Sequence, residues 1–92
     1  MRETIFEYKI DYKGARSEAE KLAKEILKKY PQVGYRIVTI LEEGVYIELY
    51  GDNEEFIHKI SESLNEKKVE LLLGGMPVYI IYGGKEQERI GI

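Results

Sequence analysis

The chain reads as an α+β domain in which two amphipathic helices alternate with the strands of one sheet. Three observations predict this. Apolar residues recur at three- and four-residue steps over 15–30 and again over 53–66, the spacing of a helix with one buried stripe. Between them, Val45, Ile47 and Leu49 alternate with Tyr46, Glu48 and Tyr50, the period of a strand with one buried face. The short run Glu42-Glu43-Gly44 joins that strand to the apolar stretch before it, so a hairpin lies between the helices.

Residues 4–10 are expected to form a first strand, with Phe6, Tyr8 and Ile10 facing the helices and Ile5, Glu7 and Lys9 facing away. Asp11 to Gly14 make the loop. Helix one is expected from Ala15 to Tyr30, with Ala19, Leu22, Ala23, Ile26, Leu27 and Tyr30 on its stripe and Pro31 as its stop. Lys28 and Lys29 suit the negative end of its dipole. A second strand covers 33–41; Tyr35, Ile37, Thr39 and Leu41 share one face and Gly34, Arg36, Val38 and Ile40 the other. Both faces are partly apolar, so the pattern alone does not choose the inward one. Helix two follows Asp52 or Asn53 as cap and runs to Glu66, burying Phe56, Ile57, Ile60 and Leu64, with Lys67 and Lys68 closing it. Val69 to Leu73 reads as a fourth strand because Val69 and Leu73 leave the helix stripe; a helical reading of these residues stays open. Val78 to Tyr82 forms a strand between two glycine pairs, and 86–92 is an edge strand or a tail.

The order β-α-β-β-α-β over about residues 3–73 resembles a ferredoxin-like sandwich. The resemblance implies a single antiparallel sheet with strands one and three central, both helices on one face through right-handed crossovers, and a C-terminal β-hairpin extension beyond residue 77. The superfold hosts enzymes, RNA binders and regulators alike, so it implies no activity. An alternative resemblance is to the cis-proline segment of thioredoxin-like proteins, through Met76-Pro77 followed by a strand, a Gly-Gly turn and a final strand; no cysteine follows strand one.

Ninety-two residues make one domain with a small core. The absence of cysteine excludes disulfides and thiolate chemistry, and a single histidine cannot build a His-rich metal site. A net charge of −3 disfavours a nucleic-acid partner held by electrostatics. The first residues lack an apolar signal core and no apolar run approaches a membrane span, so a cytoplasmic, non-membrane protein is expected. Charged residues make up 34% of the chain against two Asn and two Gln, which points to a thermophile, although a designed chain would look similar.

No motif carries chemistry, so a non-enzymatic protein without cofactor or metal is expected. Residues on the sheet face turned from the helices are the first candidates: Ile5, Val38, Ile40, Tyr46 and Tyr50, with Tyr79 and Ile81 in the extension. An uncovered face of this composition suits a protein partner, either a second copy in a homodimer or another chain. Tyrosines on strand three are similar to the base-stacking aromatics of RNA-recognition domains, but Glu43 and Glu48 stand beside them and would repel phosphate. The second candidate is an anion site of Lys13, Gly14, Arg16 and Ser17, where free N–H groups at a helix start would face a phosphate or carboxylate of a small regulatory ligand. This loop resembles the phosphate cradle of acylphosphatases, with only one of the glycines and without that family's asparagine near the end of strand two. His58 falls on the outer side of helix two, where a surface role is expected.

Overall fold

Val45, Ile47 and Leu49 are each 0% exposed, and the fold is arranged around the strand that carries them. The structure is a computed structural model that describes residues 9–85. Its elements are α1 (Tyr12–Lys29), β1 (Gly34–Ile40), β2 (Gly44–Tyr50), α2 (Glu54–Ser63), α3 (Asn65–Leu73) and β3 (Val78–Gly84). The strands form one sheet in the order β1-β2-β3.

α1 begins at Tyr12, three residues before the expected start. Asp11 caps it: its carboxylate Oδ1 accepts from the Gly14 N–H at 2.9 Å. Ala15, Ala19, Leu22, Ala23 and Ile26 form the buried stripe. The small alanines let the helix sit close on the sheet. Pro31 stops the helix, and a turn over 31–32, closed by the Val33 N–H donating to the Tyr30 carbonyl at 3.1 Å, sends the chain into β1.

β1 and β2 form the expected hairpin, in register from Gly34 opposite Tyr50 to Ile40 opposite Gly44. The turn needs unusual backbone at both ends: Glu42 has φ 70° and Gly44 has φ 138°. A Cβ at Gly44 would also lie 2.7 Å from the Pro77 carbonyl oxygen, so glycine is required there on two grounds. Register settles the inward face of β1. Tyr35, Ile37 and Thr39 oppose Leu49, Ile47 and Val45, so this set lies on the helix side.

The expected fourth strand is instead helix. Apart from Asn65 and Val69, Asn65–Leu73 consists of strong helix formers, and the two glycines that follow complete a helix terminus. Gly75 adopts φ 83°, its N–H donates to the Leu72 carbonyl at 3.1 Å, and the Met76 N–H donates to the Leu71 carbonyl at 2.8 Å. This is a Schellman cap, whose left-handed residue is usually glycine. Helix two is correspondingly shorter than expected and breaks at Leu64, whose φ is −109° and ψ 13°. Lys67 and Lys68 therefore open α3; they do not close α2.

That helix changes the sheet. A chain leaving β2 and returning through α2 and α3 arrives parallel to it, because only a crossover can join parallel neighbours. β3 accordingly pairs with β2 in parallel, Val45 opposite Val78 and Ile47 opposite Ile80. The sheet is mixed, not antiparallel, and β3 is a member of it; the expected edge strand or tail over 86–92, which would be the other arm of a C-terminal hairpin, lies outside the described residues. The described order is α-β-β-α-α-β; the α+β class stands, and the ferredoxin-like order is not matched. The expected strand over 4–10 falls mostly outside the described residues, and Lys9 and Ile10 are not strand. The Met76–Pro77 bond is trans, unlike the thioredoxin-like alternative.

One buried cluster joins α1 (Leu22, Ile26), α2 (Ile57, Ile60), Leu71 of α3 and the inward residues of β2 and β3. Tyr30 on one side and Phe56 on the other meet edge to face at 5.1 Å. α1 and α2 therefore share one side of the sheet. The reverse side has no helix on it among the described residues.

Candidate functional site: the open sheet face

Residues alternate across a strand, so the positions between the core residues of β2 and β3 project to the reverse face. Register aligns them in rows. Val38, Tyr46 and Tyr79 make one row; Arg36, Glu48 and Ile81 make the next. Ile40 flanks the first row. Ile40 is 37% exposed, Tyr79 37% and Ile81 39%, so large apolar groups stand in solvent across all of the strands but the central one.

The tyrosines are held in place. The Tyr46 and Tyr79 rings lie 4.9 Å apart at 34°, and the Tyr46 hydroxyl donates to Glu43 Oε1 at 2.7 Å. That hydrogen bond raises the Tyr46 pKa above its ordinary value, with smaller contributions from burial and from the negative charge of Glu43. In the second row, Arg36 Nε reaches Glu48 Oε1 at 3.1 Å. The Tyr50 hydroxyl also donates to Glu48. The face thus carries two carboxylates, one on a tyrosine hydroxyl and one on a guanidinium, within an apolar surround.

Of the expected face residues, the structure brings Val38, Ile40, Tyr46, Tyr79 and Ile81 together. Tyr50 shares their face but is only 5% exposed, with its ring laid over Gly83 where any side chain would collide with it. Tyr50 is a packing residue at the end of the sheet. Ile5 lies outside the described residues.

The anion candidates are placed differently. Gly14 has already given its N–H to Asp11, and a Cβ there would meet the Asp11 carboxylate. Lys13, Arg16 and Ser17 sit within the opening turns of α1. Arg16 Nη1 donates to Thr39 Oγ1 at 3.0 Å and its Nε is 4.0 Å from Glu20. The local arrangement is a capped helix start whose carboxylate stands where an external anion would bind. His58, on exposed α2 surface, pairs with Glu54 at 3.2 Å.

Two features were not foreseen. Val69 and Leu73 on α3 are 54% and 81% exposed, an apolar stripe hidden from the sequence reading by the assignment of these residues to a strand. A shallow groove also runs between α1 and the α2–α3 junction, with Leu22 and Leu64 at its floor and Lys21, Glu25 and Lys67 on its walls. The groove holds about 460 Å³, and a smaller adjoining hollow lined by Tyr30 and Ile60 holds about 90 Å³. Ligand sites for drug-sized molecules run to about 300–1,000 Å³, a range that the groove reaches and the hollow does not. Among the described residues no three His, Asp or Glu side chains converge as metal ligands. No described helix is long and apolar enough to cross a membrane.

Comparison with known proteins finds no matching family model, and no curated protein or solved structure matches the chain.

Proposed function

We propose that the protein is a non-enzymatic protein-interaction module that binds another protein surface through the open face of its sheet. The observation that carries this reading is the row Val38–Tyr46–Tyr79 with Ile40 and Ile81 beside it, an aligned apolar patch with no helix over it among the described residues. Tyrosines suit such a surface because a large rigid ring contributes contact area with little loss of side-chain freedom. The two acidic side chains on the face support a protein partner over nucleic acid, since neither would sit beside phosphate. The abundance of charge and the scarcity of amides support a thermophilic, cytoplasmic setting.

The test compares complexes co-purifying with the intact chain and with Tyr79→Lys and Ile81→Lys. Both variants are expected to keep the fold, read by circular dichroism, and to lose the same bound protein. Retention of that protein by both charged variants, with loss on substituting Val69 or Leu73, would move the interface to α3 and contradict the reading.

A further inference from the structure

Among the described residues β1 and β3 are the outer strands of the sheet, and they differ. β3 is irregular: its pairing with β2 is broken by a register shift at Leu49/Tyr50, and it ends in Gly83 and Gly84, the latter at φ 97°. β1 has no such irregularity. Its seven residues, Gly-Tyr-Arg-Ile-Val-Thr-Ile, pair with β2 without a bulge and contain no proline and no lysine. Its only charge, Arg36, is turned onto Glu48 of its own chain. α1 packs over one face of β1, donating from Arg16 to Thr39, and the outer backbone groups of β1 have no partner among the described residues.

We propose that a second copy of this chain pairs with β1, strand against antiparallel strand, about a two-fold axis perpendicular to the sheet. The sequence of β1 is compatible with itself in this arrangement. The axis preserves the faces, so residues that oppose each other must share a face, and one residue must stand opposite its own copy. Ile37 and Val38 lie at the middle of the strand. With Ile37 on the axis, Tyr35 meets Thr39 of the second copy and Arg36 meets its Val38. With Val38 on the axis, Ile37 meets Thr39 and Arg36 meets Ile40. Neither register opposes like charges, which would oppose pairing, and both place β-branched side chains across from one another, which favours it. The pairing also accounts for β1 being apolar on both faces up to its edge: Tyr35 on the helix side and Ile40 on the open side, each 37% exposed, would gain neighbours from the second copy. The result is one continuous sheet, of six strands among the described residues, whose two open faces lie side by side, available together to another protein.

The chain has no cysteine, so single-cysteine variants report proximity without background. Opposed residues bring their Cβ atoms to about 4.5–5.5 Å, near the span of a disulfide. Ile37→Cys or Val38→Cys is expected to form a covalent dimer under mild oxidation, while Ile81→Cys stays monomeric. Sedimentation velocity of the unmodified chain is expected to show a dimer at millimolar concentration, with outward amides of 34–40 gaining hydrogen-exchange protection as concentration rises. A monomer at that concentration would overturn the proposal. So would a dimer in which Ile81→Cys cross-links and the β1 variants do not; that result would leave the open-face reading standing and assign the second copy to it.

Discussion

The two faces of β2 are built from alternate residues of one strand, and they obey different rules. Toward the helices, Val45, Ile47 and Leu49 are fully buried and meet Ala19, Leu22, Ile57 and Ile60 in one cluster. Toward the reverse side, Tyr46 and Glu48 are only partly covered, and their neighbours Tyr79 and Ile81 stand more than a third exposed. The inward face holds the fold together. The outward face makes local contacts, a ring pair and an ion pair, that arrange its side chains without anchoring the helices. The partner surface we propose is drawn from these outward residues.

The largest effects should therefore come from the inward face. Ile47→Ala or Leu49→Ala removes a fully buried side chain from the centre of the cluster and is expected to cost about 2–5 kcal/mol in urea unfolding. The hairpin turn comes next. Gly44→Ala forces a Cβ onto the Pro77 carbonyl at a positive φ, with an expected loss of about 1–3 kcal/mol by the same measurement. Removing the α1 cap by Asp11→Ala is expected to cost about 1 kcal/mol. On the open face, Tyr79→Ala gives up one ring pair and part of an exposed side chain, for about 0.5–1.5 kcal/mol. If Tyr79→Ala proved as damaging as Leu49→Ala, the contrast between the faces would fail.

The smallest effect is a pH dependence. The hydrogen bond to Glu43 raises the Tyr46 pKa in the folded state, so its stabilisation is complete below the unfolded phenol value of about 10 and is lost as pH rises through the higher folded value. Lys68 behaves oppositely. Burial lowers its pKa, so folding is relieved of that desolvation as pH rises from the folded value toward the unfolded one. Comparing intact chain with Tyr46→Phe isolates the first contribution. The stability difference between them is expected to shrink above pH ~10, and a difference that grows there would contradict the assignment.

How much of this was legible in the sequence depends on how local each signal is. The alternation over 45–50 is a property of six adjacent residues, and it placed Tyr46 and Tyr50 on the reverse face and Ile47 in the core. Tyr79 and Ile81 follow from the same parity in β3. The apolar stripe of α1 was equally plain, although its first turn was missed because Tyr12, Lys13 and Gly14 look like a loop until Asp11 is seen to cap them. Leu71-Leu72-Leu73 misled, because a short apolar run has no period of its own. The Gly74-Gly75 pair held the missing signal, being a helix terminus as readily as a strand turn. With those residues read as a strand, the parallel pairing of β2 with β3 does not follow, since it depends on the helical crossover. The inward face of β1 was ambiguous for a related reason: both its faces are apolar, and only the register with β2 separates them.

We propose above that this protein meets its partner through the reverse side of the sheet. The most direct measurement places a photo-crosslinking aromatic residue at Tyr79, and separately at His58 on the exposed surface of α2. A discrete cross-linked protein is expected from position 79, absent when Ile81→Lys is added, and none from position 58. Cross-linking from position 58 with none from position 79 would contradict it.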